Sequence, residues 1–207
     1  MHPAALVDLA ARLLHAVLRF DSPADGVISA FFRQERQLGV RDRHALAETT
    51  YAVLRRRLAF EHLAKTGPGP LDRRLVLLGW QGDEAFLRGA LQPNEARWLD
   101  EARATDLSAL APKLRHNLPD WLAAPLQEQL GEEFWPLAES LNEPAPLDLR
   151  VNTLKARRED VEAALQQAGI ASEPTPLSPW GLRVQGKPAL TRLPAFEAGQ
   201  IEVQDEG

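Results

Sequence analysis

The sequence predicts two units in one chain: an α-helical bundle over residues 1–110, then a small α/β domain with a mixed or antiparallel sheet over residues 111–207. Three observations predict this. Apolar residues recur at three- and four-residue spacing through the first part, with Gly and Pro marking short connections. After residue 111 the pattern changes, and short segments alternate apolar and polar with the period of a strand. Apolar content of 44% and charged content of 26% are average for globular chains, so 207 residues suffice to bury a real core, and disorder is excluded as the main state.

Leu6, Leu9, Leu13, Val17 and Phe20 form one helical stripe. Asp21-Ser22-Pro23 ends it and opens a second helix, with Ser22 as N-cap, Pro23 at the first helical position and Val27, Ile28, Phe31 and Phe32 facing inward. Gly39 precedes a long helix expected over roughly 41–65, with Leu46, Thr50, Val53, Leu54 and Leu58 inward and Arg43, Glu48, Arg55 and Arg56 on flanking or outer faces. Gly67-Pro68-Gly69-Pro70 reads as a connector, and shorter helices are expected near 71–80, 83–91 and 93–104.

In the second part, Leu118-Pro119-Asp120-Trp121-Leu122 opens a helix expected to bury Leu122, Leu126 and Leu130. A short helix with Phe134, Leu137 and Leu141 follows. Leu147–Asn152, Leu182–Val184 and Ile201–Val203 read as strands, and a helix near 158–168 is stopped by Gly169. Trp98, Trp121 and Trp135 are placed in cores or packing surfaces, and Trp180 is the tryptophan expected to be exposed.

The chain has no cysteine, which excludes disulfides, thiolate metal sites and cysteine nucleophiles. The five histidines never pair at metal-ligand spacing, so no metal site is expected. No phosphate loop, GxGxxG or GxSxG occurs, and the adjacent carboxylates Glu132-Glu133 and Glu159-Asp160 suit helix N-termini. No run of apolar residues spans a membrane, and a cytoplasmic location is expected.

The net charge of −5 is unevenly distributed. Residues 1–110 hold 15 basic and 14 acidic side chains, and residues 111–207 hold 9 and 15. Residues 33–57 carry seven arginines against Glu35, Asp42 and Glu48, net +4, which singles out this segment as a candidate phosphate-contacting surface.

Four stretches then carry a resemblance. Leu118-Pro119-Asp120-Trp121-Leu122, Pro146–Lys155 (Pro-Leu-Asp-Leu-Arg-Val-Asn-Thr-Leu-Lys), Leu193–Gly199 and Val203–Glu206 resemble, in order and spacing, signatures of the Sun/Nop (Fmu/RsmB-like) family of RNA cytosine-5 methyltransferases. The helix with Arg41-Asp42-Arg43, Ala47-Glu48 and Tyr51–Arg56 resembles the NusB-like helical domain that precedes this region in bacterial members. The resemblance implies an RNA-binding region, an rRNA partner, and a Rossmann-like catalytic domain binding S-adenosylmethionine that is absent here. Its chemistry requires a cysteine thiolate that attacks the cytosine ring. This chain, expected to be a fragment ending before that domain, is read as holding no cofactor and no catalytic residue. Its candidate RNA-contacting residues are Arg41, Arg43, Arg55, Arg56, Arg57, Arg150, Asn152 and Lys155; Gln204 and Asp205 are candidates for the junction with the catalytic domain. The alternative is a non-enzymatic module that docks protein or binds RNA alone, and the acidic second half favours the former.

Overall fold

The computed structural model describes residues 1–186 and 188–206. The chain divides into two compact units, Met1–Glu143 and Pro144–Gly207.

The first unit is helical. α1 (Pro3–Leu18) starts on a proline whose fixed φ suits the first turn, and buries Leu6, Val7, Leu9, Ala10, Leu13, Leu14 and Val17. α2 (Ala24–Gln34) buries Ile28 and Phe31. Pro23, not Ser22, occupies its N-cap, and no side chain caps it. α3 (Val40–Arg55) follows Gly39, whose N–H donates to Asp42 in the first turn. The expected continuous helix to residue 65 is interrupted: Arg56 leaves helical geometry at φ −129°, ψ 28°, and α4 (Arg57–Leu63) starts anew.

α5 (Leu71–Gly79) carries Asp72, Arg73 and Arg74 in its first half and buries Leu75 to Gly79 in its second, with Leu75, Val76 and Leu77 inaccessible to solvent, and it packs against α1, α3, α4 and α7. Gly79 permits its close approach to α3, because a Cβ there would lie 2.5 Å from Val53 Cγ2. α6 (Glu84–Arg88) and α7 (Pro93–Arg103) complete this core. Arg73 on α5 forks onto Glu95 of α7 at 2.6 and 3.1 Å and donates to the Ala90 carbonyl. The Glu95 carboxylate, 5% exposed, is thereby held below the usual range by the Arg73 hydrogen bonds, aided by the Gln92 N–H.

α8 (Pro112–His116), α9 (Asp120–Leu130) and α10 (Phe134–Leu141) close the first unit. Phe134 is buried edge-on against His116 and Trp135, at centroid distances of 5.7 and 5.1 Å. The outer faces here are more apolar than expected from the sequence. Leu122, Leu126 and Leu130 are half-buried, Leu137 and Leu141 are exposed, and Trp121, expected in a packing surface, is 75% exposed. Only Ala123 of α9 is fully enclosed, so this helix rests on one narrow stripe.

The second unit is β1 (Leu147–Val151), α11 (Arg158–Gln167), β2 (Ser172–Pro174), β3 (Gly181–Val184), α12 (Pro194–Glu197) and β4 (Ile201–Val203). The strand order is β2-β3-β1-β4 with every pairing antiparallel, the βαββαβ topology of a ferredoxin-like domain. Period-two alternation sends Leu149, Val151, Leu182, Val184 and Ile201 to one face, where Val161 and Leu165 of α11 cover them. Gly169, at φ 75°, ends α11 while the Ile170 N–H returns to the Leu165 carbonyl.

The opposite face carries Asp148, Arg150, Arg183 and Glu202, and the register sets Asp148 against Arg183 and Arg150 against Glu202. Arg183 forks onto Asp148 at 2.8 and 2.9 Å, and Asp148 is 2% exposed. This ion pair lowers the carboxyl of Asp148 and raises the guanidinium of Arg183.

Candidate nucleic-acid interface

The seven arginines of segment 33–57 fall into two sets. Arg33 ends α2, Arg36 lies in the following turn and Arg41 sits in the first turn of α3. All three are exposed and none makes a side-chain hydrogen bond or ion pair among the described residues. Arg41 opposes the positive end of its own helix, so helix stability gives no reason for a cation there.

The other four are engaged. Arg43 is half-buried, donates through Nε to the Leu38 carbonyl at 3.0 Å and stacks over Phe32 at 5.7 Å. Arg55 lies over Tyr51 at 5.8 Å. Burial, with Asp25 and Glu48 adding, keeps the Tyr51 hydroxyl above its ordinary range. Arg56 binds Glu143 at 2.9 Å, and Arg57 binds Glu61 at 2.6 Å while covering Phe20 at 5.1 Å. Elsewhere in this unit Arg73, Arg88, Arg103 and Arg115 also hold carboxylates. Among the described arginines of this unit, those whose side chains have no partner are Arg33, Arg36 and Arg41 here and Arg97 on α7, so three of the four fall between residues 33 and 41. Arg33 and Arg36 were legible only as part of a charge total.

The break at Arg56 has a cause far along the chain. Asn117, in the left-handed region at φ 56°, ψ 24°, inserts its amide between α3 and α4. Its Oδ1 accepts from the Leu58 N–H at 2.9 Å, and its Nδ2 donates to the carbonyls of Leu54 and Arg55 at 3.1 and 3.0 Å. One side chain therefore satisfies orphan groups at a helix end and a helix start. It also fixes where Arg55, Arg56 and Arg57 leave the backbone.

In the second unit, Arg150 pairs with Glu202 across the outer face. Asn152 lies just beyond β1: its Nδ2 donates to the Gly199 carbonyl at 3.2 Å and its Oδ1 accepts from the Leu154 N–H at 3.1 Å. Lys155 Nζ donates to the Ala198 carbonyl at 2.9 Å. Asn152 and Lys155 thus clamp the turn between α12 and β4, where Gly199 has φ 65°. Gln204 and Asp205 are exposed, and the Gln204 N–H donates to the Asp148 carbonyl at 3.1 Å.

The turn from β1 into α11, residues 152–157, has no glycine and is closed by Asn152 and Lys155. A cleft of about 250 Å³ in the first unit is walled by Arg56, Arg115, Glu139 and Glu143, whose charges neutralise one another. No group of His, Asp or Glu among the described residues could hold a metal ion, and no helix is long and apolar enough to cross a membrane.

Residues 118–191 match the ferredoxin-like domain of RsmF/B-like methyltransferases. The ribosomal RNA small subunit methyltransferase B of Photorhabdus laumondii is 33% identical over 90 residues, 44% of this chain and 21% of that protein. A probable ribosomal RNA small subunit methyltransferase B from Synechocystis is 27% identical over 238 residues, covering 95% of this chain and 52% of the relative. The methyltransferase B of Xylella fastidiosa is 29% identical over 198 residues, 80% of this chain and 44% of the relative. The crystal structure of PH0851 superposes on the whole chain with a TM-score of 0.66 at 17% identity, using 54% of its own length, which shows the shared fold. The chain spans about half the length of the curated relatives that it matches over most of its own residues.

Proposed function

We propose that this chain is the RNA-binding and RNA-positioning region of an S-adenosylmethionine-dependent RNA (cytosine-5)-methyltransferase acting on ribosomal RNA, and that it is not catalytic alone. The observation that carries the reading is the set of exposed, unneutralised arginines Arg33, Arg36 and Arg41, in a unit whose other arginines are largely engaged. Forked guanidinium groups on a turn and a helix end suit backbone phosphates. Their role is to hold structured RNA while a target base is presented to a catalytic centre. Without a cysteine, these residues supply no thiolate for attack on cytosine.

The test is the salt dependence of binding to a structured ribosomal RNA fragment. Replacing Arg33, Arg36 and Arg41 by Gln lowers the slope of log K against log salt by about 2. Replacing Arg56 and Arg57 lowers it less, since both already hold carboxylates. A slope unchanged by the triple substitution refutes the assignment.

A second reading, a protein-docking module, is favoured by one observation: Trp121, Leu137 and Leu141 are exposed on α9 and α10 of the first unit. Absence of RNA binding at low salt, with Trp121→Ala abolishing a protein interaction, supports that reading instead.

A further inference from the structure

The ferredoxin-like unit has the strand order of domains that bind RNA across an open sheet, but its open face is unsuited to that use. Such faces present aromatic side chains to bases. Here the face carries the mutually neutralised pairs Asp148–Arg183 and Arg150–Glu202. Part of it is also covered. The Glu206 carboxylate accepts from the backbone N–H groups of Leu177 and Ser178, both at 2.6 Å, tying the chain after β4 to the β2–β3 loop.

At the end of the sheet where β1 leaves for α11, the surface is different. Trp180 is 51% exposed, Leu154 is 95% exposed, and the Arg157 side chain is 82% exposed on the β1–α11 connection. Lys155 belongs to the same connection and Arg158 opens α11; Arg157 and Arg158 share the single carboxylate of Glu159, at 3.8 and 3.6 Å, so one positive charge of the two is left over. Trp180 is firmly mounted: its carbonyl accepts from the Val151 N–H at 2.9 Å, and its N–H donates to Ser178 Oγ at 3.3 Å. Behind it, the Thr175 hydroxyl donates to the Ser178 carbonyl at 3.3 Å, and the Thr175 N–H donates to the Gly181 carbonyl at 3.2 Å. A loop backbone pinned at this many points pays little ordering cost on binding.

We infer that this end of the sheet is a stacking site for an unpaired nucleotide, with the Trp180 indole as the platform for the base and Arg157 as the contact to a flanking phosphate. The inference deepens the RNA-binding reading and rests on it. Basic side chains with net positive charge on the same end of the sheet as an exposed aromatic match single-stranded RNA, whose bases offer a π-face whatever their identity. It also divides the labour: the arginines of the first unit hold backbone charge, and Trp180 registers an unstacked base.

The experiment uses the full chain, with a short oligoadenylate and a blunt RNA duplex as probes, and compares Trp180→Ala, Trp180→Leu and Trp180→Phe. Retained circular dichroism verifies folding of each variant. The expected result is a loss of about 5- to 100-fold in oligoadenylate affinity for Ala and Leu, little loss for Phe, and unchanged duplex affinity. The salt slope stays the same, because stacking releases no counterions, whereas Arg157→Gln lowers it by about 0.7. Wild-type affinity in Trp180→Ala overturns the stacking site and leaves the arginine assignment standing. Wild-type affinity in Trp180→Leu shows that apolar contact suffices and overturns it too. If the unaltered chain binds neither probe at low salt, the RNA-binding reading falls and takes this site with it.

Discussion

Replacing Asn117 by Ala tests the account of the α3–α4 break most directly. The substitution removes three hydrogen bonds, to Leu58 N–H and to the carbonyls of Leu54 and Arg55, all in part-buried surroundings. Each net bond contributes about 1 kcal/mol, and a buried group left without a partner costs about 1–3 kcal/mol. Some water will reach these half-buried groups, so the lower end applies and the three sum to about 3 kcal/mol. Ala must also keep the left-handed backbone at φ 56°, for about 1 kcal/mol more. The expected loss is therefore about 4 kcal/mol for Ala and about 3 kcal/mol for Gly, which lacks only the amide. Urea denaturation followed by both circular dichroism and tryptophan fluorescence measures it, the two probes showing whether the units unfold together. A loss below about 1 kcal/mol for Ala, or Gly as costly as Ala, would refute the reasoning.

Acid should weaken the same region through His116. Its ring is 5% exposed and its Nδ1 accepts from the Leu118 N–H at 2.9 Å, so the neutral form is the one that fits. Burial lowers its pKa below the ordinary 6.5, Lys113 adds to this and Asp120 opposes it. Below pH 6.5 the unfolded chain binds the proton first, so stability is full above that pH and declines as pH falls toward the folded-state value. The urea midpoint should fall between pH 7.5 and 5.5 in the native chain and much less in His116→Phe; equal slopes contradict the assignment. Gly79→Ala should destabilise the first unit by about 1–3 kcal/mol, since the new Cβ would meet Val53 Cγ2 at 2.5 Å and the Thr49 carbonyl at 3.4 Å. A thermal midpoint unchanged by this substitution shows that α3 can shift without cost.

The sequence carries the helical periodicity of α1 to α5 and the alternation in β1, β3 and β4 plainly, because each follows from local burial. It does not carry the break at Arg56. Arg55-Arg56-Arg57 contains no Gly or Pro, and the group that splits the helix lies 59 residues beyond Leu58. β2 is silent for a related reason: Ser-Glu-Pro has little strand preference, and pairing with β3 imposes its conformation. The arginine cluster is visible as a charge total, but its division is not. Arg56 finds its partner 87 residues away, and the free state of Arg33, Arg36 and Arg41 follows from what their neighbours already hold. Trp121 reads as core because its type is usually enclosed, and only the packing of α9 shows it outside.

The clamp of Asn152 and Lys155 on Ala198 and Gly199 bears on how genetic data for this region are interpreted. Two polar positions within the segment of strongest family resemblance act as fasteners between the ends of the ferredoxin-like fold. A substitution scan scored by methylation in a longer protein would register both as essential, and the natural inference would be RNA recognition. Soluble yield and protease resistance of the same variants would separate the two explanations: a fastener loses both, and a ligand contact loses neither.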